Sequence, residues 1–280
     1  MLNSPSSLTN TTMQNCKICC LYSGSKGNCT FVSAGGAKIL IDAGKSFKAL
    51  KEALQSIGED ICDIDAIFIT HEHNDHISAL KTLSHKHAIP IHMLYASALI
   101  FNGCKDEKLC ANLQIYKGNS FETDIKGLHV KAFPTPHDSD GAVGYRLTYK
   151  NRADEEIAVA VTTDVGYVTE ELRSNLTGCV AAVLESNHDT EMLKNGPYPY
   201  ELKKRIASNK GHLSNAECAT FAASLYEGGL KHLLLAHLSE ENNLPDVAYD
   251  EVFSAIADEK FDLKVAEQNR AVWLLRGEEA

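Results

Sequence analysis

Three histidines and an aspartate fall within six positions, at His71, His73, Asp75 and His76. Imidazole nitrogens and a carboxylate at that density repel protons and suit a divalent cation such as zinc, manganese or iron. The alternative is a solvated polar loop, but the group directly follows the nearly apolar stretch 64–70 (IDAIFIT), which places it at a strand's carboxyl end. These four residues can begin two cation sites and cannot finish them. Completion needs two more imidazoles and a bridging carboxylate from elsewhere in the chain. His137, Asp164 and His237 qualify, because each follows its own apolar stretch, at 128–133, 157–161 and 233–235. Any one of them alone reads equally well as a loop residue; the recurrence argues for convergence.

Other residues offer weaker chemistry. Lys203, Lys204, Arg205 and Lys210 form the densest basic run, which would either grip a phosphate backbone or cover a solvated helix face. Ser25, Lys26 and Asn28, in the glycine loop 23–28, could offer donors to an anion. His85, His87, His92, His129 and His232 are read as structural. Cys16-x-x-Cys19-Cys20 has the look of half a zinc knuckle, yet no second pair matches its spacing and the segment reads as strand.

Bringing such a set together takes strands that end on one edge. Short apolar strands are expected at 17–22, 29–33 and 38–41, separated by glycine turns. Helical spacing covers 47–57 and ends at Gly58; 64–70 reads as a strand covered on both faces. A helix over 77–87 follows, and Pro90 opens the next strand. Strands return at 113–116, 128–133, 143–149, 157–162, 180–184 and 232–236, with a closing strand inside 263–275. Helices are expected over 215–226, with Ser214 as N-cap, and over 246–258, with a short helical connection at 173–178. The alternation predicts a layered α/β protein.

At 280 residues the chain can bury a core as one undivided domain, expected over 15–280. Residues 1–14 are polar and read as a flexible extension without a secretory signal, with Met13 as an alternative start. No apolar run reaches the roughly 20 residues that a spanning helix requires, so no membrane partner is expected. Nine scattered cysteines point to reduced thiols and a cytoplasmic protein. A net charge of −10 argues against broad electrostatic capture of nucleic acid and leaves room only for a local basic cleft. Oligomeric state is not legible from these features.

The spacing His-x-His-x-Asp-His at 71–76, with single His, Asp and His positions after later strands, resembles the metallo-β-lactamase superfamily over residues 17–275. The resemblance implies a single-domain αββα sandwich with a metal site at one edge of its two sheets. It implies that His71, His73 and His137 hold one ion, that Asp75, His76 and His237 hold another, and that Asp164 bridges them. Asp42, in Ile41-Asp42-Ala43-Gly44, matches an early aspartate that orients a ligand histidine. Within the superfamily the chain looks most like the YycJ (WalJ) group of nuclease-like hydrolases. The segments that carry this are 23–28 (SGSKGN), 184–189 (LESNHD), 196–199 (GPYP), 210–215 (KGHLSN) and 236–243 (AHLSEENN). It is also similar to tRNase Z, in which a Gly-His-x-(Ser/Thr) element supplies a histidine paired with a preceding glutamate. His212 and Glu185 fall on those positions. Ser186-Asn187-His188 departs from that enzyme, so its substrate is not carried over.

What the resemblance implies is a phosphodiester hydrolase with two divalent ions, zinc or manganese, iron being suited as well. The expected activity is that of a nuclease, DNA ahead of RNA, acting as an exonuclease. A metal-bridging hydroxide would attack, with Asp75 accepting its hydrogen bond. His212, held by Glu185, would protonate the leaving oxygen, and His188 is a second candidate for that step. Ser25, Asn28, Lys203 and Arg205 would bind substrate. The alternative is hydrolysis of small esters, thioesters or lactones. A redox di-iron relative usually has Glu where His73 stands, and a binding-only relative would have lost ligands.

Overall fold

A strand apolar on both faces needs cover on both, and the computed structural model supplies it with four layers. It describes residues 16–101 and 105–277; the extension expected over 1–14 lies outside them. One sheet holds β1 (Lys17–Tyr22), β2 (Cys29–Ala34), β3 (Ala37–Ile41), β4 (Ala66–Phe68), β5 (Ile91–Leu94) and β6 (Leu113–Tyr116). The other holds β7 (Phe121–Ile125), β8 (Leu128–Pro134), β9 (Val143–Lys150), β10 (Glu156–Thr162), β11 (Ala181–Glu185), β12 (His232–Ala236) and β13 (Asp262–Val265). The last strand, β14 (Val272–Leu275), crosses back to pair with β1, giving the orders β14-β1-β2-β3-β4-β5-β6 and β13-β12-β11-β10-β9-β8-β7.

Side-chain alternation sorts each buried strand between two cores. In β11, Ala181 and Val183 point between the sheets, while Ala182 and Leu184 meet the outer helices. In β4, Ala66 and Phe68 face inward and Ile67 faces the helix pair carrying Leu50, Leu54, Leu80 and Leu83. Three apolar layers therefore separate helix, sheet, sheet and helix. This is the αββα sandwich expected.

Strand direction then fixes where loops emerge. β3, β4, β5 and β6 run parallel, as do β10, β11, β12 and β13; β8 shares that direction because both it and β10 lie antiparallel to β9. The carboxyl ends of β3, β4, β8, β10, β11 and β12 thus deliver Asp42, His71, His137, Asp164, Glu185 and His237. Tyr145 Oη donates to the carbonyl of Ile69 at 2.6 Å and the Val143 amide to that of Thr70 at 3.0 Å, tying the two sheets together beside the histidines.

Several elements differ from those expected. The strand over 64–70 pairs only at β4. The helix over 77–87 is two pieces, Asn74–Ile77 and Leu80–Lys86. Its carbonyls are used elsewhere: Asp75 O accepts from the Asn28 amide and His76 O from the Ala43 amide, each at 2.8 Å, while the Ala79 amide donates to Ala43 O. β7 was not expected at all, because Glu122 and Asp124 mask its alternation; Phe121 turns inward and those carboxylates stay in solvent at the sheet edge. Ser214 caps the helix Asn215–Glu227 as expected, in a reciprocal capping box with Glu217.

The crossing of 42–44 over 74–76 leaves no space at Gly44. A Cβ there would stand 1.5 Å from the Asp75 carbonyl oxygen and 2.6 Å from the Asn28 nitrogen, both rigid backbone. Gly44→Ala is expected to lower stability by about 1–3 kcal/mol and to weaken metal retention by shifting Asp75. Denaturant unfolding and metal analysis check this; an unchanged midpoint with full metal would contradict it.

Candidate metal centre

The loop after β4 owes its shape to Asp42 and Thr70. Asp42 Oδ1 accepts from the Thr70 amide (2.8 Å) and Oδ2 from its hydroxyl (2.9 Å), and the same Oδ2 holds His76 Nδ1 at 2.8 Å. Thr70 Oγ1 also lies 3.1 Å from Nδ1 of both His71 and His76. On the other sheet, Glu185 Oε1 holds His237 Nδ1 at 2.7 Å and His212 Nδ1 at 2.8 Å. Its Oε2 accepts from the amides of Val165 (2.7 Å) and Leu213 (3.2 Å). His137 Nδ1 lies 3.1 Å from the Gly211 carbonyl. An acceptor on Nδ1 sets the tautomer, so in the neutral ring Nε2 of His76, His137 and His237 carries the lone pair that faces inward.

Ligand-capable atoms gather into sets whose members all lie within 4.8 Å of one another: His71, His73 and His137; His71, His76 and Asp164; Asp75, His76 and His237; Asp164, Glu185, His212 and His237. The first and third are the two triads expected from the sequence, and Asp164 stands between them. His237 Nε2 and Asp164 Oδ2 are buried with no hydrogen-bond partner. Buried polar atoms without partners are costly unless something else binds them. The donor set, the tautomers and these atoms all fit divalent cations. Backbone is bent to achieve it: Asp42, Asp164 and His237 sit in the left-handed region at φ 64°, 58° and 58°.

Charge balance points the same way. Burial disfavours the His76 imidazolium, but Asp42, Asp164 and Asp75 outweigh it and push the ring up to about 10. His237 is raised well above its usual range, burial again being overcome by Asp164, Asp75 and Glu185. Burial opposes ionisation of Glu185, yet His212 and His237 bring it down to about 2, so it is an anion throughout the working range. Metal-stripped protein at pH 8 therefore keeps protons on His76 and His237 that a cation must displace. Calorimetric metal titration in buffers of different ionisation enthalpy should show release of about one to two protons per chain. Identical heats in all buffers would count against it.

The remaining candidates are placed unequally. A cavity of about 240 Å³ adjoins the cluster, and Ser25, Arg205, Lys210 and His212 line it. Arg205 is already engaged, its Nε donating to Asp138 Oδ2 at 2.8 Å and its Nη2 to the same oxygen. Lys203 is not in the wall; its ammonium donates to the Lys194 carbonyl at 2.8 Å. Asn28 sits behind the ligands, its amide 3.2 Å from Asp75 Oδ2 and from His76 Nε2. His188 is buried outside that wall, with Nδ1 unpartnered. Thr70 and Ser23 were not singled out from sequence; the Ser23 hydroxyl accepts from the His237 amide at 2.7 Å. Nothing marks a threonine or serine for such a role without its partners. Cys19 and Cys20 lie buried in β1, with Cys16 just before it, and burial pushes all three thiols up to about 12. Cys16 and Cys20 face the core between the sheets and Cys19 the core under the outer helices, so the three thiols do not converge on one ion, which removes the half-knuckle reading.

Residues 37–238 match a family model described as a beta-lactamase superfamily domain. The chain is 35% identical over 245 residues to exodeoxyribonuclease YycJ of Bacillus anthracis, covering 86% of this chain and 89% of that protein. The chain belongs to the metallo-β-lactamase superfamily. Exodeoxyribonuclease WalJ of Streptococcus pneumoniae is 32% identical over 241 residues, covering 85% of this chain and 87% of its own, which sets the chain within the YycJ/WalJ group. The short form of human tRNase Z shares the fold, with a TM-score of 0.62 at 18% identity, over 92% of this chain and 99% of that one. As a member of this superfamily the chain is a metal-dependent hydrolase. Among the described residues no helix is long and apolar enough to cross a membrane.

Proposed function

We propose that the chain is a dinuclear-metal phosphodiesterase that degrades DNA as an exonuclease. Two divalent ions, zinc or manganese, would be held by His71, His73 and His137 and by Asp75, His76 and His237, with Asp164 shared. The observation that carries the reading is the double use of Glu185. One anionic oxygen grips Nδ1 of His237, which joins the ligand cluster, and Nδ1 of His212, which lines the adjoining cavity. A histidine so fixed beside a cation cluster suits the protonation of a departing oxygen. Two relatives are named exodeoxyribonucleases, which supports DNA as the substrate.

Bound cations supply an ionised water for attack and positive charge against the phosphate oxygens. The protein does the rest. Burial opposes the charge of Asp75, but the His237 and His76 rings beside it outweigh this and keep it ionised, and its carboxylate can orient the attacking water. His212 Nε2 delivers a proton to the leaving group while Glu185 holds the ring. Ser25 and Lys210 offer donors to the phosphate backbone from the cavity wall. Cys16, Cys19, Cys20, Cys29, Cys179 and Cys218 are buried thiols, which supports a cytoplasmic setting.

Incubation of the metal-loaded protein with end-labelled single- and double-stranded DNA and RNA tests the reading. Progressive release of mononucleotides from DNA, dependent on Mn²⁺ or Zn²⁺, is expected. Turnover of a lactone or thioester with no cleavage of either nucleic acid would overturn it.

A further inference from the structure

The Pro197-Tyr198-Pro199 loop contributes no residue to the ligand sets, yet its Tyr198 lines the cavity beside them. It is held rigidly. A Cβ on Gly196 would stand 2.3 Å from Asn242 Oδ1 and 2.6 Å from the Met192 carbonyl, so the loop enters pressed against its neighbours, and proline on each side of Tyr198 limits its backbone. Behind the tyrosine, Leu202 and Ile206 of the helix Tyr200–Ile206 extend an apolar wall, and Leu238 faces them from the loop after β12. The floor is polar: His137, His212 and His237. The cavity thus combines the histidines beside the cation cluster, the polar side chains of Ser25, Arg205 and Lys210, and an apolar part made by Tyr198, Leu202, Ile206 and Leu238.

We infer that this cavity is a pocket for one unpaired nucleobase, that of the nucleotide adjoining the scissile phosphate, with the Tyr198 ring as its stacking face. The inference rests on the phosphodiesterase reading and names what that site recognises. Size is in keeping with it: about 240 Å³ is below the roughly 300–1,000 Å³ of clefts that enclose a drug-sized ligand, and takes a single base. Chemistry supports it as well. Stacking on an aromatic face is open to every base, so the pocket favours a base in place over an empty position and discriminates little among the four. With its backbone restrained by proline on each side, Tyr198 has less freedom to lose when the base arrives. A duplex end must therefore fray by a nucleotide before it is cut, as in enzymes that lift a base from its stack.

Single-stranded deoxyoligonucleotides carrying a tetrahydrofuran abasic nucleotide at the 5′ or the 3′ terminal position test this with the metal-loaded full chain. Wild-type kcat/KM should fall about ten- to hundredfold when the terminal base is missing at the end from which the chain degrades. Tyr198→Ala should cut the intact oligonucleotide no faster than wild type cuts the abasic one, and should lose most of the difference between the two. Tyr198→Phe, which keeps the ring, should restore the preference. A wild-type enzyme that cuts intact and abasic ends equally overturns the pocket and leaves the nuclease reading standing. Cleavage of no oligonucleotide at all overturns that reading and the pocket with it.

Discussion

His71→Ala and Asp164→Ala are each expected to abolish hydrolysis together with stoichiometric metal binding. His71 is fully buried, with one ring nitrogen 3.1 Å from Thr70 Oγ1 and the other 2.9 Å from His73 Nδ1. It belongs to two of the ligand-capable sets among the described residues, one with His73 and His137 and one with His76 and Asp164, so its loss disturbs ligands of both proposed cation positions. Asp164 lies within 3.4–3.7 Å of His76, His137, His212 and His237. Burial opposes its charge, and the imidazoles of His237, His76, His71 and His137 nevertheless hold it ionised well below the usual carboxylate range. Without it, several inward-facing rings have no anion between them. Cation catalysis supplies several kcal/mol, so activity should drop by about a thousandfold or more. Metal content by elemental analysis and activity on the same preparation check this, with circular dichroism to confirm folding. A folded Asp164→Ala protein with both ions and normal turnover would remove Asp164 from the centre.

His212→Ala should behave differently: both ions retained, turnover slowed by about 10²–10⁴-fold. Its ring joins Glu185 and lines the cavity without belonging to either expected triad. The leaving group decides the test. A deoxyribose oxygen needs a proton as it departs, whereas p-nitrophenolate does not, so the variant should lose far less on a p-nitrophenyl phosphodiester than on DNA. Equal losses on both substrates, or near-normal rates on DNA, would take proton donation away from His212.

Much of this centre was legible before any coordinates, for a physical reason. Ligands that must converge come from strand ends, and apolar strands are recognisable from their residues; His137, Asp164 and His237 each followed one. The second layer was less accessible. Thr70 supports Asp42, His71 and His76 only because β3 and β4 lie side by side, and the Ser23 hydroxyl meets the His237 amide across 214 positions of sequence. The substrate candidates fared according to reach. Ser25 does line the cavity, Lys203 is tied to a neighbouring carbonyl, and Arg205 is paired with Asp138, a partner 67 positions away that no local pattern discloses. The strand Phe121–Ile125 was hidden by charges that only an edge position tolerates.

The left-handed backbone at Asp42, Asp164 and His237 bears on how this protein ages under selection. Residues other than glycine in that conformation forgo roughly 1–2 kcal/mol each, so backbone ease alone would favour glycine at all three, although at Asp42 the bonds to Thr70 and His76 weigh against it. A lineage released from its chemical duty could drift toward a tougher, inert form without disturbing the sandwich. Retention of all three side chains in a descendant would then signal that turnover is still needed.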